Sequence, residues 1–408
     1  MKGFIAALAI MISAACAWGL EPAAVGQVEY IEGSASFSRD GNDPAALDFG
    51  SPIHSGDLVK TTANSRLVIT LDKASGFSGS LTISANTTAY IDLDLIKGEP
   101  HTVVDLISGS IGARVKKIVG SPSMQVQTAS AIAGVRGTEF EVATSVNDAV
   151  LVTCSDGEVS CEDDSGEVTA VAAGKALEKR GAGRPRFLDV KPGELGDYGQ
   201  RWAKAERDAF LADPMRIIIA YEKRYSELSS GFQSLFGKLQ SSAVLKAWID
   251  DDRKGRKFSL RDPALIRQKK DILDTLKDLR HDLFLFERVY SRMDEIREAV
   301  QGTGIEAREL RRGFTVGDFF RRFEGEKAVL DRRIGAFHYA QKLFRQRDDG
   351  SSGLFSAPLP HKDSHFLTMP EGAQPAPPPG GQGAPEGGQP ATEGGQPVPP
   401  SSPTGGRP

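Results

Sequence analysis

Cysteine, tryptophan and histidine are scarce in this chain, with three, three and six copies among 408 residues. Three cysteines exclude a disulfide-dense scaffold and a cysteine-rich zinc site. The histidines (His54, His101, His281, His338, His361 and His365) are scattered, and none stands at zinc-ligand spacing beside a carboxylate or cysteine. His361 and His365 have the i,i+4 interval, but they lie where the chain turns rich in proline and glycine. No metal or other cofactor is therefore expected. A Gly-x-Ser-x-Gly elbow and a Gly-Lys-Ser/Thr phosphate loop are both missing, so no catalytic residue is assigned. Also missing is an apolar run of roughly 20 residues, the length needed to cross a bilayer.

The longest apolar run is short and sits at the start. Lys2 precedes Phe4 to Ile12, and the small residues from Ser13 to Ala17 follow. A cationic start, a short apolar stretch and a small-residue exit form the pattern of a secretory signal peptide, assigned to residues 1–19. Cleavage after Ala17 or Gly19 releases a soluble protein. Cleavage before Cys16 instead frees that cysteine for lipidation, although Ser13 stands where a bacterial lipobox carries leucine. Export places the chain in the periplasm or in association with the outer envelope, and it removes nucleic acid from the expected partners.

Cys154 and Cys161 remain, in a disulfide-permissive compartment. The stretch from Val150 to Cys161 reads as two short strands about a Ser-Asp-Gly-Glu turn. With Gly157 and Glu158 as the loop the cysteines face each other. With Asp156 and Gly157 as the loop they are offset. A disulfide and two half-buried thiols both remain open.

The whole-chain charge of −4 hides a division. Residues 21–198 hold 15 Lys/Arg against 25 Asp/Glu, a net of −10, and residues 199–348 hold 32 against 24, a net of +8. Such a break marks a domain boundary, and residues 178–198, with Pro192 and Gly193, have linker chemistry.

Residues 26–177 repeat short alternating apolar runs between Gly, Asn, Asp and Ser clusters, which predicts a compact all-β sandwich or roll. The run from Gln127 to Val142 contains Ala133, Gly134, Val135, Arg136, Gly137, Thr138, Glu139 and Phe140. This core resembles the signature of the FecR domain, the periplasmic part of the ferric citrate uptake regulator. Gly26 to Val28, Ile53 to Thr61, Leu106 to Ile111 and Val171 to Gly174 support the resemblance in order. It implies a β domain in the envelope. The regulator's sigma-controlling segment and transmembrane helix do not fit into the residues before Glu21, so that circuit is not carried over. In the signature, Gly134 and Gly137 allow close backbone approach or positive φ. Arg136 is expected to be a structural residue with Glu139 as nearest partner; receipt of an anionic ligand is the alternative.

From residue 199 to 347 the period changes to alternating threes and fours. Ile218, Tyr221, Tyr225, Leu228, Phe232, Leu235 and Leu239 form one seam. Ile272, Leu276, Leu279, Leu283, Phe286, Tyr290 and Met293 form a second, introduced by the N-cap Asp262 and Pro263. Phe320, Phe323, Leu330, Ile334, Phe337 and Phe344 form a weaker third. An antiparallel helical coiled-coil bundle is expected, with turns near 250–262 and 302–317. Arg311, Arg312, Arg321, Arg322, Arg332, Arg333 and Arg345 suggest a basic stripe, whose available partners are anionic lipid, envelope polysaccharide or the chain's own acidic β domain. Residues 348–408, rich in Pro, Gly and Gln, lack the apolar content to fold and are expected to be a disordered tail.

These features predict a non-enzymatic envelope binding or scaffolding protein. The β domain would contact an unidentified envelope protein or polymer, the helices would self-associate or dock, and Cys16 would supply a membrane anchor if lipidated. Envelope signalling related to FecR is the alternative, and hydrolysis of an envelope polymer is the least favoured.

Overall fold

In the computed structural model the described residues are 24–348 apart from 97–98, 118–122, 136 and 192, together with 352, 354 and 381–383. The signal peptide, Cys16, Arg136 and nearly all of the tail lie outside them.

A large β region comes first and helices follow. Alternation in the sequence places apolar side chains on one face of each strand, as in Arg66–Leu71, where Leu67, Ile69 and Leu71 are buried. Two sheets result. One has ten strands, nine from the β region and Gly381–Gly383 paired at its edge to Arg186–Val190. The other has nine. Their inner faces share one core that includes Val59, Leu81, Val104, Ile111, Phe140 and Val159.

The stretch expected to be a linker is structured. It carries the end of strand Lys175–Arg180, the strand Arg186–Val190 and the start of the first helix. Leu188, Val190, Leu195, Tyr198 and Trp202 pack there with Leu151 and Ala176 of the sheet.

Among the described residues five α-helices follow: α1 (Leu195–Ala212), α2 (Pro214–Ser241), α3 (Ala243–Arg253), α4 (Pro263–Val300) and α5 (Val316–Arg347). The three seams fall on α2, α4 and α5. Asp262 caps α4 by accepting from Ala264 N at 2.8 Å, and Thr315 with Asp318 forms a reciprocal capping box on α5. Seam residues including Ile218, Tyr225, Phe232, Leu279, Phe286, Phe323 and Phe337 are buried in one core that also takes in Val146 of the β region. The short helices α1 and α3 were not expected. α1 packs on the sheet, and α3 inserts Trp248 beside Phe344 at 6.1 Å between ring centroids.

Candidate functional site

The FecR-like signature forms a corner between the sheets. Ala131–Val135 belongs to the nine-stranded sheet and Glu139–Thr144 to the ten-stranded one. The chain therefore changes sheets between Val135 and Glu139. It crosses again at Gly157, between Ala149–Asp156 and Glu158–Asp163. The two crossings touch: a Cβ on Gly157 would lie 2.8 Å from Thr138 Cγ2 and 3.2 Å from Gly137 O. Gly137 has φ +85° and Gly157 φ +81°, a region L side chains rarely adopt. Gly134 needs no such freedom, because it sits in a strand with ordinary space toward Ser160 O. Val135, Thr138 and Phe140 are buried.

Two expectations change here. Glu139 pairs with Arg114 of the neighbouring strand at 2.6 Å, so it is already engaged, while Arg136 lies outside the described residues. Cys154 and Cys161 are not on a hairpin, since their strands belong to opposite sheets on either side of the corner. Both thiols are free and buried. Burial, with Cys154 close by, pushes the Cys161 thiol up to about 12.

Polar chemistry gathers instead where the β region meets the helices. Tyr90 donates to Glu287 Oε1 of α4 at 2.9 Å, and His338 Nε2 of α5 lies 3.0 Å from the same oxygen. The Tyr90 and His338 rings stack with centroids 4.0 Å apart. Burial and the facing Glu287 carboxylate raise the Tyr90 pKa well above its ordinary value, which keeps it a donor. The next residue on α4, Arg288, reaches Asp105 of the sheet and lays its guanidinium 3.5 Å over the Phe284 ring. Burial raises Asp105 above the usual carboxylate range, against the opposing pull of Arg288. One turn later Arg292 donates to Thr144 Oγ1 at 2.5 Å and pairs with Glu295 at 2.6 Å. On α5, Lys342 pairs with Asp40 at 2.6 Å and Arg345 with Asp92 at 3.1 Å.

A second buried set fastens α1. Glu206 accepts from Ser145 Oγ at 2.9 Å and Asn147 Nδ2 at 2.8 Å, and pairs with Arg180 at 2.6 Å. Glu178 takes Arg180, Arg186 and the Trp202 indole N–H, the last at 2.7 Å. Burial opposes ionisation of Glu178, but the two arginines and the indole outweigh it and lower its pKa.

Between the two regions lies a cavity of about 50 Å³. Ser130 at the opening of the signature strand, Thr144 and Asp148 line one side, and Arg224, Arg288 and Arg292 the other. A glycosidase-like mechanism needs two carboxylates facing one cleft. This one is lined by a single carboxylate, Asp148. Among the described residues no group of three or more His, Cys, Asp and Glu could hold a metal ion, and no helix is long and apolar enough to cross a membrane.

The predicted basic stripe is largely consumed by other partners. Arg311 pairs with Glu222 at 2.7 Å, Arg322 with Glu326 at 2.9 Å, and Arg321 with Asp318, while Arg333 lies over Phe236. Of that set, among the described residues, only Arg345 meets the acidic β region. The residues that bridge the two regions, Tyr90, Asp105, Glu287, Arg288, Arg292 and Lys342, had no local signal in the sequence, because each partner lies more than a hundred positions away.

Comparison with known proteins now places the β region. Residues 57–160 match the family model described as FecR protein. This chain carries a FecR domain. The match covers the two-sheet corner and the sheet residues Tyr90, Asp92, Asp105 and Thr144 that receive the helices. Two crystal structures of a candidate anti-sigma factor from Parabacteroides distasonis are similar at 16% and 14% identity, with TM-scores of 0.28 and 0.24. The matches cover 35% and 36% of this chain and 62% of each of those chains, so this chain spans less than two thirds of their length. No curated protein matches the chain.

Proposed function

We propose that this chain is a non-enzymatic regulatory component of the bacterial cell envelope, in which the FecR domain and the helices bind a partner as one body. The FecR match at residues 57–160 carries this reading. The polar contacts between the FecR domain and α4 and α5 support the joint action, because a partner that loads one region strains or relieves contacts made by the other.

Scaffolding through an unpartnered helical seam has less behind it. The seam residues are consumed by the chain's own core, which leaves α2 and α5 with one exposed large apolar residue each among the described residues, Ile219 and Val329. Export and periplasmic residence belong to the proposal, with cleavage after Ala17 or Gly19, or lipidation at Cys16, as its two forms.

Two measurements test it together. In vivo crosslinking through an amber-encoded photoreactive residue on the outer strands of the FecR domain should capture one recurrent envelope protein. Deletion of the gene should change a restricted set of transcripts. Recovery of no partner with an unchanged transcript profile would sink the regulatory reading.

A further inference from the structure

We propose that the loop between α3 and α4, with the first turn of α4, is a docking surface for an anionic lipid membrane. This inference is independent of the regulatory reading.

Residues 253–270 hold eight Lys/Arg and one Asp/Glu. The single acid, Asp262, is occupied in capping α4. Three of the eight cations have partners: Lys254 and Arg256 are tied to Asp250 and Asp251 at the end of α3, and Lys269 to Asp348. The other five, Arg253, Lys257, Arg261, Arg267 and Lys270, are exposed and have no ion-pair partner among the described residues. Every residue from Asp252 to Ala264 is exposed.

Charge alone would describe a solvated loop. The apolar residues make the difference. Ten large hydrophobic residues are exposed among the described residues, and three of them, Phe258 at 43%, Leu260 at 42% and Ile266 at 52%, fall within this one segment. They alternate with the free cations, so insertion of the apolar groups at a headgroup boundary would bring the cations to phosphate level. A soluble polyanion would use the cations and leave the apolar residues in water.

The loop is also presented rigidly. Trp248 Nε1 of α3 donates to Gln268 Oε1 of α4 at 2.8 Å and closes its base. Arg347, buried beneath, lies 4.4 Å from the centroid of the Phe258 ring and supports its inner face, while the ring stays 43% exposed. Asp262 N donates to Ser259 O at 3.0 Å and tightens the turn that carries Leu260.

The test is sedimentation of the purified chain with vesicles of phosphatidylglycerol and phosphatidylcholine, and with vesicles of phosphatidylcholine alone. The chain carries Cys16→Ser so that no acyl group contributes, and all variants share that background. Each basic residue at an anionic surface strengthens binding by about fivefold, so Lys257→Ala with Arg261→Ala should weaken binding to the anionic vesicles roughly 25-fold. Leu260→Ser with Ile266→Ser should weaken vesicle binding while leaving retention on heparin unchanged. These positions are exposed, and circular dichroism checks that each variant is folded. Failure of the parent chain to bind anionic vesicles, or equal binding by the Lys257/Arg261 variant, overturns the proposal. So does unchanged vesicle binding by the Leu260/Ile266 variant, which would mark a surface for soluble polyanions.

Discussion

Tyr90 of the FecR domain and Glu287 of α4 share a buried hydrogen bond of 2.9 Å across 197 positions of sequence, with His338 of α5 closing on the same carboxylate oxygen. This three-way contact joins one strand and two helices that have no local reason to meet. Burial and the facing Glu287 keep the phenol protonated and donating.

Removing either end of that contact should therefore loosen the junction. Tyr90→Phe deletes one donor, while His338 still serves Glu287, and a loss of about 1–2 kcal/mol is expected. Glu287→Ala strands both partners and should cost about 3 kcal/mol. Urea unfolding of the single and double variants gives the coupling; strictly additive losses would show that the two residues do not act together.

Arg288 should be harder to replace. Without it the half-buried Asp105 carboxylate loses its counter-charge, at a cost of about 1–3 kcal/mol. Arg288→Lys should not restore stability, since an ammonium cannot both reach Asp105 and cover the Phe284 ring. Full recovery in thermal melts by lysine would show that charge alone suffices.

Backbone contact between Gly41 and Gly335 sets how closely α5 approaches the sheets. A Cβ on Gly335 would lie 2.7 Å from Gly41 Cα. Gly335→Ala should force α5 outward at a cost of about 1–3 kcal/mol. Hydrogen exchange should then rise at Lys342 and Arg345, whose side chains reach Asp40 and Asp92, and unchanged protection there would refute the close approach.

Acid should act through Asp163. Burial works against its charge, but hydrogen bonds from Ser165, Lys179 and the backbone N–H of Glu167 lower its pKa from 3.8 to about 2. A carboxylate lowered on folding stabilises the fold above its ordinary pKa, and that contribution disappears as pH falls through the folded value. The stability gap between the parent and Asp163→Asn should thus be full at pH above 4 and vanish as pH approaches about 2. A gap independent of pH in urea titrations would rule this out.

The two buried thiols should be slow to react in the folded state. Cys161 needs a thiolate that its surroundings disfavour, so alkylation at neutral pH should proceed only after unfolding. Mass mapping after brief iodoacetamide treatment, with and without urea, reads each cysteine separately. Rapid native modification of Cys161 would contradict its placement in the core.

The FecR signature was legible because its chemistry is local. Two glycines within four positions, between runs of alternating apolar residues, announce a strand, a sharp passage and another strand. The passage between sheets was not legible, because Gly157, which touches Gly137, lies twenty positions on and looked like an ordinary hairpin turn. The same limit hid the pairing of Glu139 with Arg114, which stands on an adjacent strand of the sheet.

Sequence alone determined the β region, the three long helical periods, the cap on α4 and the FecR resemblance, since each depends on residues a few positions apart. Only the tertiary structure decided where the buried charge would go. Asp105 meets Arg288, Glu206 meets Asn147 and Arg180, and Lys342 meets Asp40, while Arg311, Arg321 and Arg322 of the predicted stripe turn to acids within the helices. The physical reason is that a buried charge takes whichever partner the packing of whole sheets and helices brings within hydrogen-bond reach, and that distance is not encoded in spacing along the chain.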